Sequence, residues 1–191
     1  KIWSLTDGSQ GMISQCRGLA LELGSDIKEI ETDILFPWNK LQPGFLPVYR
    51  WIFINKIPNR IPDIVISCGR KSVYLSIFLK RKFPKIINIH IQNPKISSKE
   101  FSFVIAPNHD NIKGCNIINS IGAIHHFKNS RKTIENNINV SAKKGLITCI
   151  IGGENNHYLF SKKETYNLCQ KIKKLKEKNR ELEFLVITSR R

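Results

Sequence analysis

The sequence has no apolar run approaching the roughly 20 residues that a helix needs to cross a lipid bilayer. Cysteine is also sparse: the five cysteines are odd in number, and no two have CxxC spacing. A disulfide framework and a zinc site are therefore disfavoured, and we expect each cysteine to be a small core residue in a reducing compartment. The start, Lys1-Ile2-Trp3-Ser4, lacks both a signal-peptide pattern and an initiator methionine, which predicts further residues upstream.

Acidic residues are few compared with basic ones. The chain has 15 Asp and Glu against 31 Lys and Arg, and its formal net charge is +16. This surplus favours an anionic partner such as nucleic acid, anionic lipid or a phosphorylated sugar. The alternative is compositional, because Lys, Ile and Asn are abundant together, as in proteins from AT-rich genomes, and the lysines are spread along the chain.

Strand and helix patterns alternate through the first two thirds of the chain. They predict strands over 1–5, 26–32, 63–67, 85–91, 101–106 and 116–119, and helices over 12–23 and 72–82. Near-continuous apolar strands separated by helices are typical of a parallel sheet covered on both faces. We therefore predict an α/β, Rossmann-like domain over residues 1–124.

A second unit is predicted after a polar linker. Residues 125–144 contain no buried-strand pattern, and residues 145–151 restart the strand, loop and helix order. An amphipathic helix is predicted over 160–178 and a last strand over 183–188. Because a Rossmann-like domain needs more than two strands, we interpret residues 145–191 as the truncated beginning of a second such domain.

Polar clusters follow most of the predicted strands, and ligands of open parallel sheets bind beyond the carboxyl ends of the strands. In the first domain these residues are Thr6, Asp7, Gly8, Gly69, Arg70, Gln92, Asn93, His109 and Asp110. In the second they are Gly152, Gly153, Ser189, Arg190 and Arg191. Each cluster alone has the alternative interpretation of an ordinary turn.

The residue types favour an anion or sugar site. Small residues after the first strand expose backbone N–H groups, although Thr6 to Gly11 matches neither GxGxxG nor a P-loop. Arg70 could pair with a phosphate or a carboxylate, and Asn93-Pro94 could present the Gln92 amide. Gly152-Gly153 permits close approach of a pyrophosphate, for which Ser189-Arg190-Arg191 supplies donors.

His109-Asp110 is the best acid–base candidate by residue type. Imidazole titrates near neutrality, and a neighbouring carboxylate can raise its pKa. Adjacent residues rarely face each other, however, so one of the two could serve only to orient the loop. His90 lies inside a predicted strand, where a core histidine is favoured over a ligand.

A resemblance to the mitochondrial-fission ELM-type family is carried by seven strings, in order along nearly the whole chain: WSLTDGSQGMISQCRGLA, PDIVISCGRKS, IHIQNPK, FVIAPNHD, GCNIINSIGAIHH, IIGGENNHY and ITSRR. Bacterial members of that family are described as candidate glycosyltransferases. The resemblance implies a GT-B-like pair of Rossmann-like domains, the first holding the acceptor and the second the nucleotide-sugar donor across a cleft. One departure is Ser9-Gln10-Gly11-Met12, where a basic residue and a histidine are often found.

The resemblance thus implies glycosyl transfer from a nucleotide sugar to a lipopolysaccharide-core or lipid-linked acceptor. No bound metal or other cofactor is expected, because helix N-termini and basic side chains can neutralise the leaving diphosphate. Asp7, His109 and Asp110 are the candidates for the base. Basic charge and a loop with exposed aromatics, Phe36 and Trp38, would hold a cytoplasmic protein at the anionic inner membrane.

Two other functions remain open at this point. One is a non-catalytic adaptor that recruits a partner protein, since plant members of the family are linked to the mitochondrial division machinery. The other is a nucleic-acid-binding module, which depends on charge alone and lacks the expected recognition motifs.

Overall fold

The computed structural model describes residues 1–126, 145–152 and 159–188. The chain divides into two compact units, Lys1–Asn129 and Ser130–Arg191. Most of the predicted linker, 125–144, lies outside the described residues.

The described part of the first unit contains six strands and two α-helices. The strands are β1 (Ile2–Thr6), β2 (Ile27–Glu31), β3 (Ile64–Cys68), β4 (Ile87–Ile91), β5 (Phe103–Pro107) and β6 (Ile117–Ser120), and the helices are α1 (Gln10–Leu23) and α2 (Arg70–Lys82). All strands pair in parallel, in the order β2-β1-β3-β4-β5-β6. The predicted Rossmann-like α/β fold is therefore confirmed.

Alternate strand residues pack on opposite faces of this sheet, as the two-residue period of a strand requires. On one face, Ile2, Ile66 and Ile91 cluster with Cys16 and Ala20 of α1. On the other, Trp3, Leu5 and Val65 cluster with Leu75 and Leu79 of α2. Full burial of one such large apolar side chain contributes about 1.5–3 kcal/mol, so the two helices fix the strands between them.

The second unit repeats the strand–helix–strand order. Its described elements are β7 (Leu146–Ile151), α3 (Lys162–Lys178) and β8 (Glu183–Thr188), and the two strands pair in parallel. A capping box begins α3, because the Ser161 backbone N–H donates to Glu164 Oε2 at 2.8 Å while the Ser161 side chain caps the helix.

The cysteines divide between core and surface. Cys16 and Cys68 are buried, and their mutual hydrogen bond together with burial raises the pKa of the Cys16 thiol well above its usual value. Cys115 and Cys169 are exposed and Cys149 is half-buried. The expectation that every cysteine is a core residue is therefore wrong for these three, because flanking apolar residues do not set the direction of a side chain.

Residues 32–63 connect β2 to β3, and residues 34–62 of this connection are called here the aromatic loop. Phe36 is 75% exposed, as predicted. Trp38 is only 7% exposed, which corrects the prediction that both aromatics lie at the surface. Its indole Nε1–H donates to the carbonyl of Pro47 at 2.9 Å, so the ring can be buried without leaving its donor unpaired.

Candidate functional site at the carboxyl edge of the sheet

The strand order reverses between β1 and β3. After β1 the chain forms β2 on one side, then returns to form β3 on the other side of β1. At such a switch point the loops that follow the two strands diverge and leave a crevice in which ligands of α/β proteins bind. The residues bordering this point are Asp7 and Gly8 after β1, and Gly69 and Arg70 after β3.

The Asp7 carboxylate lies against the backbone of Gly69. A Cβ atom at Gly69 would be 3.1 Å from Asp7 Oδ2 and would collide with Met12 Sδ. Gly69 also has a φ of 102°, a conformation that side chains disfavour. The other oxygen, Asp7 Oδ1, is buried and has no hydrogen-bond partner among the described residues. Since buried polar atoms are nearly always paired, this one suggests a missing donor.

Thr6 and Gly8 shape the turn that places Asp7. The Thr6 hydroxyl accepts a hydrogen bond from the Gly8 backbone N–H at 3.3 Å. Gly8 has a φ of 87°, and a Cβ there would lie 2.7 Å from Glu31 Oε1 on the neighbouring strand. The positive φ therefore favours glycine here, whereas the Glu31 side chain could move to accommodate a Cβ.

Arg70, the first residue of α2, contacts the aromatic loop. Its Nη1 donates to the carbonyls of Lys40 at 3.0 Å and Leu41 at 3.4 Å. Its Nη2 donates to the carbonyl of Asn39. The guanidinium thus holds the loop beside the N-terminus of α2, and its predicted contact with an anion stays a prediction.

The backbone after β4 is strained. Gln92 has a φ of 82°, a left-handed conformation that costs a non-glycine residue roughly 1–3 kcal/mol. Its Nε2 donates to Gln15 Oε1 on α1 at 3.3 Å. Asn93 Oδ1 accepts from the Lys95 backbone N–H at 2.9 Å, which closes the following turn. Strain of this kind is concentrated at ligand-binding positions.

His109 and Asp110 follow β5 in a short 3-10 turn, Asn108–Asp110. Asp110 Oδ2 accepts from the Asn93 backbone N–H at 3.2 Å, so this carboxylate ties together the loops after β4 and β5. The His109 side chain is 77% exposed, and its Nε2 is 3.8 Å from Asp110 Oδ1. Because β5 is three strands from β1, His109 shares the edge with Asp7 but lies roughly 14 Å along it.

A cavity of about 220 Å³ opens at this edge. Its lining includes Met12, Gln42, Gly69, Arg70, His90, Gln92, Asn93 and Lys95. The volume is below the roughly 300–1,000 Å³ of sites for drug-sized ligands, and it suits a group as small as one sugar ring or one phosphate. The structure therefore brings Gly69, Arg70, Gln92 and Asn93 to one cavity, as their shared edge predicts.

His90 is the lining residue that the sequence alone did not identify. It is buried, as a core histidine is expected to be, and desolvation lowers its pKa to about 3. Its Nδ1 lies 2.9 Å from the hydroxyl of Ser67, its register partner on β3. Its ring packs on Phe101 with centroids 5.2 Å apart. The cavity thus has a neutral imidazole in a fixed orientation in its wall.

The predicted donor-binding residues belong to the second unit. Gly152 directly follows β7, whose last residue, Ile151, is paired with Thr188 at the end of β8. Gly153, Ser189, Arg190 and Arg191 lie outside the described residues. Their role in donor binding stays a prediction.

The described residues lack both a cluster of metal ligands and a membrane-spanning helix. Among residues 1–126, 145–152 and 159–188, no three His, Cys, Asp or Glu side chains are grouped so as to hold a metal ion. In the same described part of the chain, no helix combines the length and apolar character needed to cross a membrane.

Comparison with known proteins matches the chain to a family and to a curated relative. The model of the family described as "Mitochondrial fission ELM1" matches residues 10–191. The "Uncharacterized protein RP120" of Rickettsia prowazekii (strain Madrid E) is 27% identical over 232 residues, which cover 100% of this chain. The chain spans 64% of the length of that relative. No solved structure matches the chain.

Proposed function

Because the chain belongs to the Mitochondrial fission ELM1 family, we propose that it forms part of a GT-B-type glycosyltransferase. The enzyme moves a sugar from a nucleotide-sugar donor to a lipopolysaccharide-core or lipid-linked acceptor. The observation that carries this proposal is the cavity of about 220 Å³ at the carboxyl edge of the first sheet. This is the edge at which parallel α/β sheets bind their ligands.

The lining of the cavity favours a neutral, hydroxyl-bearing acceptor. With a pKa of about 3, His90 is uncharged at physiological pH, and the amides of Gln92 and Asn93 also interact without formal charge. Sugar hydroxyls are donors and acceptors that such groups can bind. Arg70 and Lys95, also in the lining, supply positive charge for an acceptor that carries a phosphate.

Asp7 is the favoured general base among the three candidates. Its Oδ1 lacks a donor, and its carboxylate lies against Gly69, which lines the cavity. As the acceptor oxygen bonds to the anomeric carbon and the bond to the diphosphate breaks, the hydroxyl proton passes to Asp7. His109 lies three strands along the edge, and Asp110 is engaged with the Asn93 backbone N–H.

The donor diphosphate would bind in the second unit. Backbone N–H groups after Gly152-Gly153 and the side chains of Ser189, Arg190 and Arg191 would neutralise the leaving group. This assignment follows from the residue types and from their place after two neighbouring parallel strands.

The test uses the full-length protein in two steps. A thermal-shift screen with UDP-, GDP-, ADP- and CMP-sugars identifies the donor, and release of the nucleoside diphosphate with envelope glycolipid extract measures transfer. Asp7→Asn should reduce transfer roughly 10²–10⁴-fold, the contribution of a general base, without changing the donor-induced shift. Asp26→Asn makes the same charge change at an exposed position at the opposite edge, before β2, and should change neither. If none of these nucleotide sugars shifts the melting temperature, the glycosyltransferase proposal fails.

One observation favours the second candidate, a non-catalytic adaptor. Large apolar side chains are exposed along the aromatic loop, at Leu35, Phe36, Leu41, Phe45, Tyr49, Trp51, Ile54 and Ile61. A protein that recruits a partner needs such a surface. An adaptor would show no transfer with any donor, and Asp7→Asn would leave its function intact.

A further inference from the structure

The aromatic loop is basic throughout and contains no acidic residue. Residues 34–62 carry four cations, Lys40, Arg50, Lys56 and Arg60, and no Asp or Glu. All four are exposed. The acidic residues that flank the loop, Asp33 and Asp63, are paired with Lys71 and with the N-terminal ammonium, so neither neutralises these four cations.

The loop is anchored to α2 on its inner side. Ile34, Trp38 and Ile52 form a buried cluster with Tyr74 of α2. A backbone hydrogen bond joins the start of the loop to its later half, from Leu35 N–H to the Ile52 carbonyl at 2.9 Å. The exposed side chains are therefore presented from a packed base.

The outer side of the loop presents aromatic rings to solvent. Phe36, Phe45 and Trp51 are 75%, 73% and 60% exposed. Tyr49 and Trp51 stack with ring centroids 5.7 Å apart and an angle of 9° between their planes. Exposure of this much apolar surface on one segment marks an interaction surface.

A second cavity is lined by Arg50, which stands between Tyr49 and Trp51 in the sequence, and by further basic side chains. It measures about 210 Å³ and lies between residues 57–61 and the C-terminal end of α2. Arg50, Arg60 and Lys82 contribute to its lining, together with Phe78 and Phe83, and none of the described residues that line it is acidic. Three cations around a pocket of this size fit one phosphate group.

We propose that the aromatic loop docks on an anionic bilayer, with its exposed rings in the interface and a lipid phosphate in the pocket of Arg50, Arg60 and Lys82. Tyr and Trp suit the membrane interface because one part of the ring is apolar and the other part is polar. Each basic side chain near an anionic surface strengthens binding about fivefold. Charge complementarity thus selects anionic lipid, and the proposal does not depend on glycosyl transfer.

The three tryptophans make the docking measurable in the full chain. Trp3 and Trp38 are 3% and 7% exposed, whereas Trp51 is 60% exposed. Phosphatidylglycerol vesicles should therefore shift the tryptophan emission to shorter wavelength through Trp51, and phosphatidylcholine vesicles should not. Trp51→Phe should abolish the shift while co-sedimentation with phosphatidylglycerol vesicles persists.

Matched charge variants test the pocket. Arg50→Gln with Arg60→Gln should lower the partition coefficient on phosphatidylglycerol vesicles about 30-fold, from the fivefold contribution of each. Lys173→Gln with Lys174→Gln removes the same charge from exposed positions of α3 and should change it less than twofold. Circular dichroism at each step checks that the variants are folded.

Several outcomes would overturn the proposal. Equal losses in the two double variants would mean that binding follows net charge alone. Equal binding to both vesicle types would show that the anionic headgroup is not recognised. An emission shift with inorganic phosphate alone would show that the pocket binds a free anion instead of a lipid. Absence of binding to either vesicle type would show that the loop does not dock on a bilayer and would favour a protein partner for this surface.

Discussion

Burial of His90 should make the stability of the first unit fall in mild acid. The imidazole is enclosed, and desolvation lowers its pKa from 6.5 to about 3. Between these values the unfolded chain binds a proton that the native state excludes. The stability that neutral His90 contributes is therefore fully present above the pKa of the unfolded state, and it is lost as the pH falls below that value.

The size of the effect follows from linkage. Between the native and unfolded pKa values, each pH unit changes the free energy of unfolding by about 1.4 kcal/mol. Between pH 7 and pH 5 the unfolded state gains most of one proton at this site, which lowers the free energy of unfolding by about 2 kcal/mol. That is a substantial part of the roughly 5–15 kcal/mol typical of a domain.

Urea unfolding followed by tryptophan fluorescence measures the effect, because all three tryptophans, at positions 3, 38 and 51, lie in the first unit. His90→Gln removes the titrating group and keeps an amide that can bond the Ser67 hydroxyl. From pH 7 to pH 5 the unmodified protein should lose about 2 kcal/mol more than this variant. Equal losses would mean that His90 accepts a proton in the native state, which would refute the reasoning.

Three backbone contacts give further predictions, each measurable by urea unfolding. Gly18→Ala places a Cβ 2.6 Å from the His125 backbone carbonyl and should cost about 1–3 kcal/mol, whereas Gly11→Ala in the same helix meets nothing within 4 Å and should not destabilise. Gly69→Ala should cost about 1–3 kcal/mol because its φ of 102° and ψ of 158° lie in a region essentially restricted to glycine, and an unchanged midpoint would show that the turn relaxes. Asp110→Ala leaves the backbone N–H after β4 without its acceptor and should cost about 1–3 kcal/mol; Asp110→Asn, which keeps an acceptor, should cost less.

Much of the fold was predictable because the strand signals are local. Runs such as Ile64 to Ser67 are apolar and β-branched, which fits a buried parallel strand. The start of α2 was less predictable: the pattern placed it at residue 72, but Gly69 serves as N-cap and the helix begins at Arg70. The burial of Trp38 could not be predicted, because it depends on the carbonyl of Pro47 within an irregular loop.

The candidate site was predictable only as a set of residues at one edge. Parallel strands bring their following loops to the same edge, whatever the order of the strands. Which residues meet depends on that order, and one sequence does not determine it. His90 entered the cavity wall because β4 is adjacent to β3, in the register that pairs it with Ser67, whereas the distance of His109 from Asp7 follows from the order β1-β3-β4-β5.

The aromatic loop joins the proposed bilayer surface to the proposed acceptor site. Gln42 lines the cavity at the carboxyl edge, and Phe45, three residues on, is among the most exposed rings. Three residues span at most about 11 Å, so a lipid-linked acceptor could keep its chains in the bilayer while its sugar enters the cavity. If both proposals hold, Arg50→Gln with Arg60→Gln should slow transfer to acceptor in phosphatidylglycerol vesicles and leave transfer to a water-soluble acceptor glycan unchanged. Equal slowing on both acceptors would place these arginines in the transfer reaction itself and would separate the loop from membrane docking.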